Sequence, residues 1–577
     1  MNPSASPCRA VRAVALVAVA SVQPVCSAQA EMRVWTAAAT VRFLRANTPP
    51  RAAGPGVRLA AARNEWVSFQ ILVRSDAAAS GLTVQGGDLR RGAGGVLRAA
   101  EARLFRQHQL HLATGTYRND TFRPGWYPDA LVPFAHPVTG KPLGAARFRA
   151  VPFDLPADQT HGFWVDLHVP SDARAGTYRG TYRVVARGRR IDVPVTLEVW
   201  DFALPRVSTL RTALGWPPLR MRGYYASKTR AGKTRTPPAD WAAVETQCAE
   251  MLTRHRVNCL PPRGTLAPKR QADGSYAIPA EQIRALKAFV RRYHVNAIRI
   301  PHPRGVVKDP DREQARLSAW LRAWDAAAET LRPQDITFYT YLKDEPNDAE
   351  AYRYVQTWGS AVRRARSAVK VLVVEQTWTQ NAAWGDLHGA VDIWCPLFSL
   401  FKPDSAAKRR ALGETIWTYT ALCQRRPTPW WHTDWPLLNY RVWSWIAWRN
   451  DISGILYWGG MSFWKHVEDP WSDPETYDLR SRRPDNKGPL YNGEGSIVYP
   501  ARAVGYEGIA PSLRLKAIRD AIEDYEYLAL LARKGLAAQA RKVVAPLAES
   551  WYAWHRDPAA YETARARLAA LIVRARR

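Results

Sequence analysis

The chain has 577 residues and a mass of 64.9 kDa, room for two to four domains. Apolar residues make up 47% and charged residues 23%, which excludes a disordered or fibrous protein. The 82 basic and 51 acidic residues leave a net charge of +31, yet no RRM, zinc-finger or helix-turn-helix pattern accompanies them, so nucleic acid is not an expected partner. An acidic polysaccharide, an anionic envelope lipid or a plain bias toward Ala and Arg is left to account for the charge. Tryptophan is the outlier, with 25 copies against 14 phenylalanines, a density that often marks surfaces for stacking on rings.

Residues 1–30 read as an export signal. Arg9 and Arg12 precede the apolar run Ala13–Val22, and the small-residue site Ala28-Gln29-Ala30 follows. That run is too short to cross a membrane. Cleavage after Ala30 is expected, with the mature chain starting at Glu31 in the periplasm or outside the cell. Gln23-Pro24-Val25 is a poor lead-in for lipidation of Cys26. No later stretch approaches a membrane span, so no membrane insertion is expected. The mature chain keeps Cys248, Cys259, Cys395 and Cys423, open to one bridge or to inert buried thiols. No Cys/His cluster has zinc spacing, and no metal or cofactor is expected.

Residues 31–205 alternate like half-buried strands, as in Trp66–Val73, Gly162–Val169 and Ile191–Val199, with Gly, Pro and Asp turns between them. A β-sandwich is expected, with Pro170–Tyr178 as a hairpin-like connection. From residue 206 to about 535 strands alternate with helices. The strand candidates are Leu210–Trp216, Val257–Leu260, Val295–Pro301, Ile336–Leu342, Lys370–Glu375, Val391–Pro396, Thr415–Leu422 and Gly454–Trp458. Helical runs such as Trp241–His255 and Ala349–Ala368 separate most of them. Eight strands over this length give a (β/α)₈ barrel, the more so because no Gly-rich phosphate loop supports an open doubly wound sheet. Residues 536–577 read as a C-terminal helical extension.

Tyr339–Pro346 (YTYLKDEP) is the strongest chemical feature: an apolar strand ending in Asp344 and Glu345, stopped by Pro346. Catalytic groups of such barrels stand at the C-terminal strand ends. Two close carboxylates repel, which raises one pKa and suits that group to donate a proton. A solvated loop with a helix cap is the plain alternative. Ten of the tryptophans crowd into Trp417–Trp471. Trp443, Trp445 and Trp448 read as helix packing. Tyr341, Trp394, Trp417, Tyr419, Tyr457 and Trp458, on or at the ends of barrel strands, are candidates for a platform under a sugar. Asp434, with His432 and Arg441, is a candidate partner for hydroxyls, and equally a structural cap or ion pair. His302 and Glu375 end the third and fifth strands at the same mouth. Gly493–Pro500 suits a tight loop over that mouth, and Pro511–Tyr527 reads as a helix carrying an ion-pair girdle.

These motifs resemble glycoside hydrolase family 123 and the wider group sharing its catalytic domain (domain of unknown function 4091). The resemblance rests on Asp344-Glu345-Pro346, the Gly495–Pro500 loop, and the Ile518–Leu528 run IRDAIEDYEYL. Asn64-Glu65-Trp66 with Phe69-Gln70, and Val199–Pro205, resemble its N-terminal sandwich. It implies a sandwich, a (β/α)₈ barrel and similarity to β-N-acetylgalactosaminidases that work by substrate assistance. Carried over by position, Asp344 would orient the substrate's acetamido group and Glu345 would act as acid and base, without a metal. The expected partner is a glycan or oligosaccharide. A glycosidase on a sugar without an N-acetyl group, with a nucleophile such as Glu375, and a non-catalytic carbohydrate-binding envelope protein are the competing readings.

Overall fold

The computed structural model describes residue 1 and residues 31–575, apart from 93, 187, 230–231, 262–265, 425–426 and 481–487. The expected export signal, with Cys8 and Cys26, lies outside the described residues but for Met1.

Two antiparallel-rich sheets form the N-terminal part. One runs in the order Met32–Ala38, Glu65–Ser75, His161–Val169, Arg103–Leu112, Gly125–Pro133. The other is built around Gly176–Ala186 and Arg189–Ala203, with Val57–Arg63 and Ala79–Gln85 on either side. Their facing side chains close one apolar core: Phe69, Ile71, Phe163 and Val165 meet Tyr182, Val184, Val195 and Leu197. The alternation that marked these strands is the signature of one buried face per sheet. Pro170–Tyr178 is not a hairpin, however. It carries the chain from one sheet to the other, since His161–Val169 pairs with Glu65–Ser75 while Gly176–Ala186 pairs with Arg189–Ala203.

The second part is a parallel barrel of seven paired strands. Their order is Arg211–Ala213, Gly454–Tyr457, Thr415–Thr420, Ile393–Trp394, Lys370–Val374, Thr337–Asp344, Ala297–Ile300. Helices alternate with most of these strands and pack outside them. In Ala349–Arg364, for example, Asp348 caps the N-terminus by accepting from Ala351 N at 2.7 Å, and Tyr352, Val355, Gly359 and Val362 fall on the buried stripe. The expected eighth strand, Val257–Leu260, does not form a ladder. Its place is bridged by side chains: Asn258 donates from its backbone N to Thr212 Oγ1 (2.8 Å) and from Nδ2 to Asn296 Oδ1 (2.7 Å). Amide side chains there replace backbone pairing, so the barrel is nearly but not fully closed.

The helix Leu513–Arg533 joins the two parts. Ser512 caps it, accepting from Leu515 N at 3.1 Å, and its charged residues are buried rather than solvated. Arg514 meets Asp129 at 2.8 Å, and Lys516 and Arg519 meet Asp166 at 2.5 and 3.2 Å. On the barrel side Glu523 meets Arg256 at 3.2 Å and Asp524 meets Arg441 at 2.6 Å. The ion-pair girdle expected for this segment is therefore also a clamp between domains. Pro558–Arg574 packs against it from outside, with Arg565 paired to Glu65. All four described cysteines are free thiols, three buried and Cys423 exposed.

Candidate active site

Asp344 is the last residue of the strand Thr337–Asp344 and stands at the C-terminal mouth of the barrel. On a regular strand Tyr339, Tyr341 and Lys343 would share the inner face and Asp344 would point away. A one-residue bulge intervenes, because Tyr341 pairs with Leu372 while Lys343 pairs with Val373, the next residue. The extra residue, Leu342, resets the alternation. Asp344 comes back to the inner side, where it lines a cleft of about 590 Å³ with Tyr339 and Tyr341, and Lys343 is turned outward.

Glu345 is turned by a different device. Its backbone N still donates to Val374 O at 3.1 Å, but its φ of 42° lies in the left-handed region, which is uncommon for a residue with a side chain. The turn carries its carboxylate toward the strand Thr415–Thr420, where the Tyr419 hydroxyl donates to Oε1. Tyr341 does the same for Asp344, donating to Oδ1 at 2.7 Å. Burial first, then the neighbouring carboxylate, raises both phenols, so both stay protonated as donors.

Trp458 forms one wall of the cleft, half-buried, and its indole N–H donates to Glu494. Glu494 is buried in the loop Gly493–Pro500, with His432 Nε2 2.7 Å from its other oxygen. Gly495 has φ 68° and donates from its backbone N to the Tyr457 hydroxyl at 2.7 Å, which seats this loop on the end of the strand Gly454–Tyr457. Glu375, one residue past Lys370–Val374, is buried and accepts from the Tyr352 hydroxyl at 3.3 Å. Burial, with the Glu345 carboxylate adding to it, pushes its carboxyl up to about 8. The Cys423 thiol, the inner end of a residue otherwise exposed, is also raised, to about 11, by burial and then by the field of Glu345.

Of the residues expected at the mouth, Asp344, Tyr341, Tyr457 and Trp458 line the cleft. Glu345, Tyr419 and Glu375 do not line it: Glu345 follows Asp344 directly and is joined to Tyr419, and Glu375 is bound to Tyr352. The others stand elsewhere. Trp417 is a fully buried part of the barrel interior, edge-on to Tyr339 at 5.2 Å, a floor rather than an exposed platform. Trp394 points away from the interior into the helical layer, donating to Glu414 Oε2 at 2.6 Å. Asp434 is an interdomain anchor that accepts from Thr116 N at 2.8 Å, Thr116 Oγ1 at 2.6 Å and Asn119 Nδ2 at 3.0 Å. His302 faces a separate outer hollow with Lys343 and Tyr354, its Nε2 3.0 Å from the Tyr354 hydroxyl. Arg441 is the buried partner of Asp524.

Sequence reading passed over Glu494, Arg220 and Arg299. A charged residue inside the apolar strand Ala297–Ile300 (AIRI) was the available signal for Arg299. Among the described residues no group of three or more His, Cys, Asp or Glu side chains is arranged to hold a metal ion, and no helix is long and apolar enough to cross a membrane.

Comparison with known proteins agrees with this architecture. The glycoside hydrolase 123 catalytic domain matches residues 314–531, and the glycoside hydrolase 123 N-terminal domain matches residues 36–186. A family 123 glycoside hydrolase from Clostridium perfringens, solved in a study of glycolipid glycan hydrolysis, superimposes over 94% of this chain and 97% of its own. The TM-score is 0.62 at 12% identity. β-Glucuronidase 3 of Bacteroides uniformis aligns more loosely, with 8% identity over 81% of this chain and 50% of its own and a TM-score of 0.25. No curated protein matches in sequence. With both of the family's domains found in order over well more than half its length, the chain belongs to glycoside hydrolase family 123 and is a glycosidase.

Proposed function

We propose that the protein is an exported, exo-acting β-N-acetylhexosaminidase, with a GalNAc-like preference, that retains configuration through substrate assistance. The observation that carries this reading is the pair of consecutive carboxylates at the barrel mouth, Asp344 brought into the cleft by a bulge and Glu345 turned toward Tyr419 by a left-handed residue, each held by its own tyrosine. In the first step the 2-acetamido oxygen of the substrate attacks C1. Glu345 gives its proton to the departing glycosidic oxygen, and a cyclic oxazolinium forms. Asp344, kept in place by Tyr341, accepts from the acetamido N–H and stabilises the positive charge. In the second step Glu345, now a carboxylate, takes a proton from the water that attacks C1, and the ring opens. No enzyme carboxylate needs to reach the anomeric carbon, unlike the usual two-carboxylate scheme.

Glu375 supports this over a conventional nucleophile. A carboxyl pushed up to about 8 carries its proton at neutral pH and is a poor nucleophile in that form. The test is turnover of paired β-linked GalNAc, GlcNAc and galactose aryl glycosides, with and without a thiazoline mimic of the cyclised intermediate. Only the acetamido sugars should turn over, and the thiazoline should compete. Asp344→Asn should lose roughly 10²–10³-fold on them. Turnover of galactosides that the thiazoline leaves untouched would reject the mechanism. Export is tested apart from this, by mass spectrometry of the secreted or periplasmic protein: Glu31 is the expected first residue, and a retained 1–30 segment would refute it.

A further inference from the structure

The cleft beside Asp344 lies where the barrel lacks a paired strand. Ala297–Ile300 forms one edge of that gap and Arg211–Ala213 the other, and each edge brings an arginine to the cleft. Arg299 shares the inner face with Ala297, two residues before it. Its guanidinium lies 4.6 Å from the ring centre of Tyr341, the residue that holds Asp344. Arg220 comes from the helix Pro217–Ala226, directly after the opposite edge strand, and lies 5.6 Å from the Phe463 ring.

Both side chains are exposed, and neither has a carboxylate within ion-pair distance among the described residues. Their neighbours differ. Arg211 is paired with Asp335 at 2.5 Å and Arg222 with Glu245 at 3.1 Å. Asp344 is the one carboxylate among the residues lining the cleft, and it is engaged by Tyr341. Two unpaired cations therefore face a cavity of a size that suits a sugar or disaccharide.

We propose that this cleft selects a glycan with an anionic substituent, a sulfate ester or a carboxylate, held by Arg299 and Arg220 next to the acetamido group. This deepens the glycosidase reading above and rests on it. A neutral hydroxyl uses one or two guanidinium hydrogens and leaves the charge unanswered. An oxyanion matches the planar fork with two parallel hydrogen bonds and answers part of the positive charge of the two arginines. The contact of the Arg299 guanidinium with the Tyr341 ring helps to hold it at the cleft. The net charge of +31 acts in the same direction, concentrating polyanionic glycans around the protein.

The test reads binding, so it stands apart from turnover. The full chain carrying Glu345→Gln is titrated calorimetrically with methyl β-GalNAc, its 4-sulfate, its 6-sulfate and a GalNAc-β-glucuronate disaccharide. At least one acidic ligand should bind about tenfold or more tightly than the neutral sugar at low salt, and added sodium chloride should erode the difference. The sulfate and uronate arms tell the two sources of anion apart. In the same background Arg299→Gln and Arg220→Gln should each bring the ratio close to one, while Arg222→Gln, paired outside the cleft, should keep it. Equal or undetectable binding of the acidic sugars, or a preference that survives both substitutions, overturns the proposal. An acid preference in a protein that turns over no acetamido sugar would instead refute the proposed mechanism and leave the subsite standing.

Discussion

Tyr341 and Asp344 stand three residues apart on one strand, yet the phenol of the first donates to the carboxylate of the second at 2.7 Å. Residues at that spacing face opposite sides of a regular strand, so the contact exists only because Leu342 is bulged out of register. Tyr341→Phe keeps the ring under Arg299 and removes only the donor. It should lower kcat on a β-N-acetylhexosaminide about tenfold, the worth of one hydrogen bond to a charged group, with KM changed less. Steady-state kinetics decide this, and an unchanged kcat would mean that Asp344 needs no positioning.

Glu345→Gln keeps an oxygen for the Tyr419 hydroxyl and loses the transferable proton. Hydrolysis of a natural glycan should fall ~10²–10⁴-fold. The loss should be smaller on a nitrophenyl glycoside, whose leaving group departs with little protonation. A full rate on the glycan would place the acid elsewhere.

Glu375 links the site to stability. Its carboxyl titrates near 4.5 in the unfolded chain and near 8 in the folded one, because burial opposes its charge. Between those values the folded chain holds a proton that the unfolded chain has lost, so stability falls as pH rises through that window. The slope is up to about 1.4 kcal/mol per pH unit. Glu375→Gln still accepts from Tyr352 and removes the titration. Its stability relative to the parent should therefore increase from pH 5 to pH 8 in denaturant titrations. A constant difference across that range would show that Glu375 does not hold its proton.

Asp166 is the shared counter-ion of Lys516 and Arg519. Burial alone would raise its carboxyl, but Arg519 and then Lys516 outweigh that and hold it well below the usual range. Asp166→Asn leaves two buried cations facing a neutral amide and should cost about 3–5 kcal/mol in chemical denaturation. Adding Lys516→Met should restore part of the loss. If the double variant is no better than the single, the pair is not the source of the effect.

The sandwich, the helices and most barrel strands were legible because their apolar periods are those of half-buried strands and amphipathic helices. Val257–Leu260 looked like its neighbours and still failed to pair, since Asn258 bonds to Thr212 and Asn296 through side-chain atoms that no hydropathy pattern registers. The Asp344-Glu345 pair was visible as two carboxylates before a proline. How both reach one mouth was not, because a bulge and a positive φ are backbone events without a residue signature. Trp394 and Trp417 were equally plausible platforms, as parallel strands are apolar on both faces and their parity cannot be read from composition. Asp434 resembled a ligand for hydroxyls because its partners, Thr116 and Asn119, come from the other domain, more than 300 residues away in sequence.

The helix Leu513–Arg533 is last in the barrel's order and yet half of its charge is answered from the sandwich, by Asp129 and Asp166. A barrel freed of residues 31–205 would leave Arg514 and Lys516 without the carboxylates that answer them, and Arg519 with only those of its own helix. The first domain is therefore no optional grip for glycans that recombination might trim away or exchange. It acts as an internal counter-electrode, so the two domains should unfold together in a denaturant titration. Damage to the strands Gly125–Pro133 or His161–Val169 would reach the chemistry through that helix, without any of those residues lining the cleft.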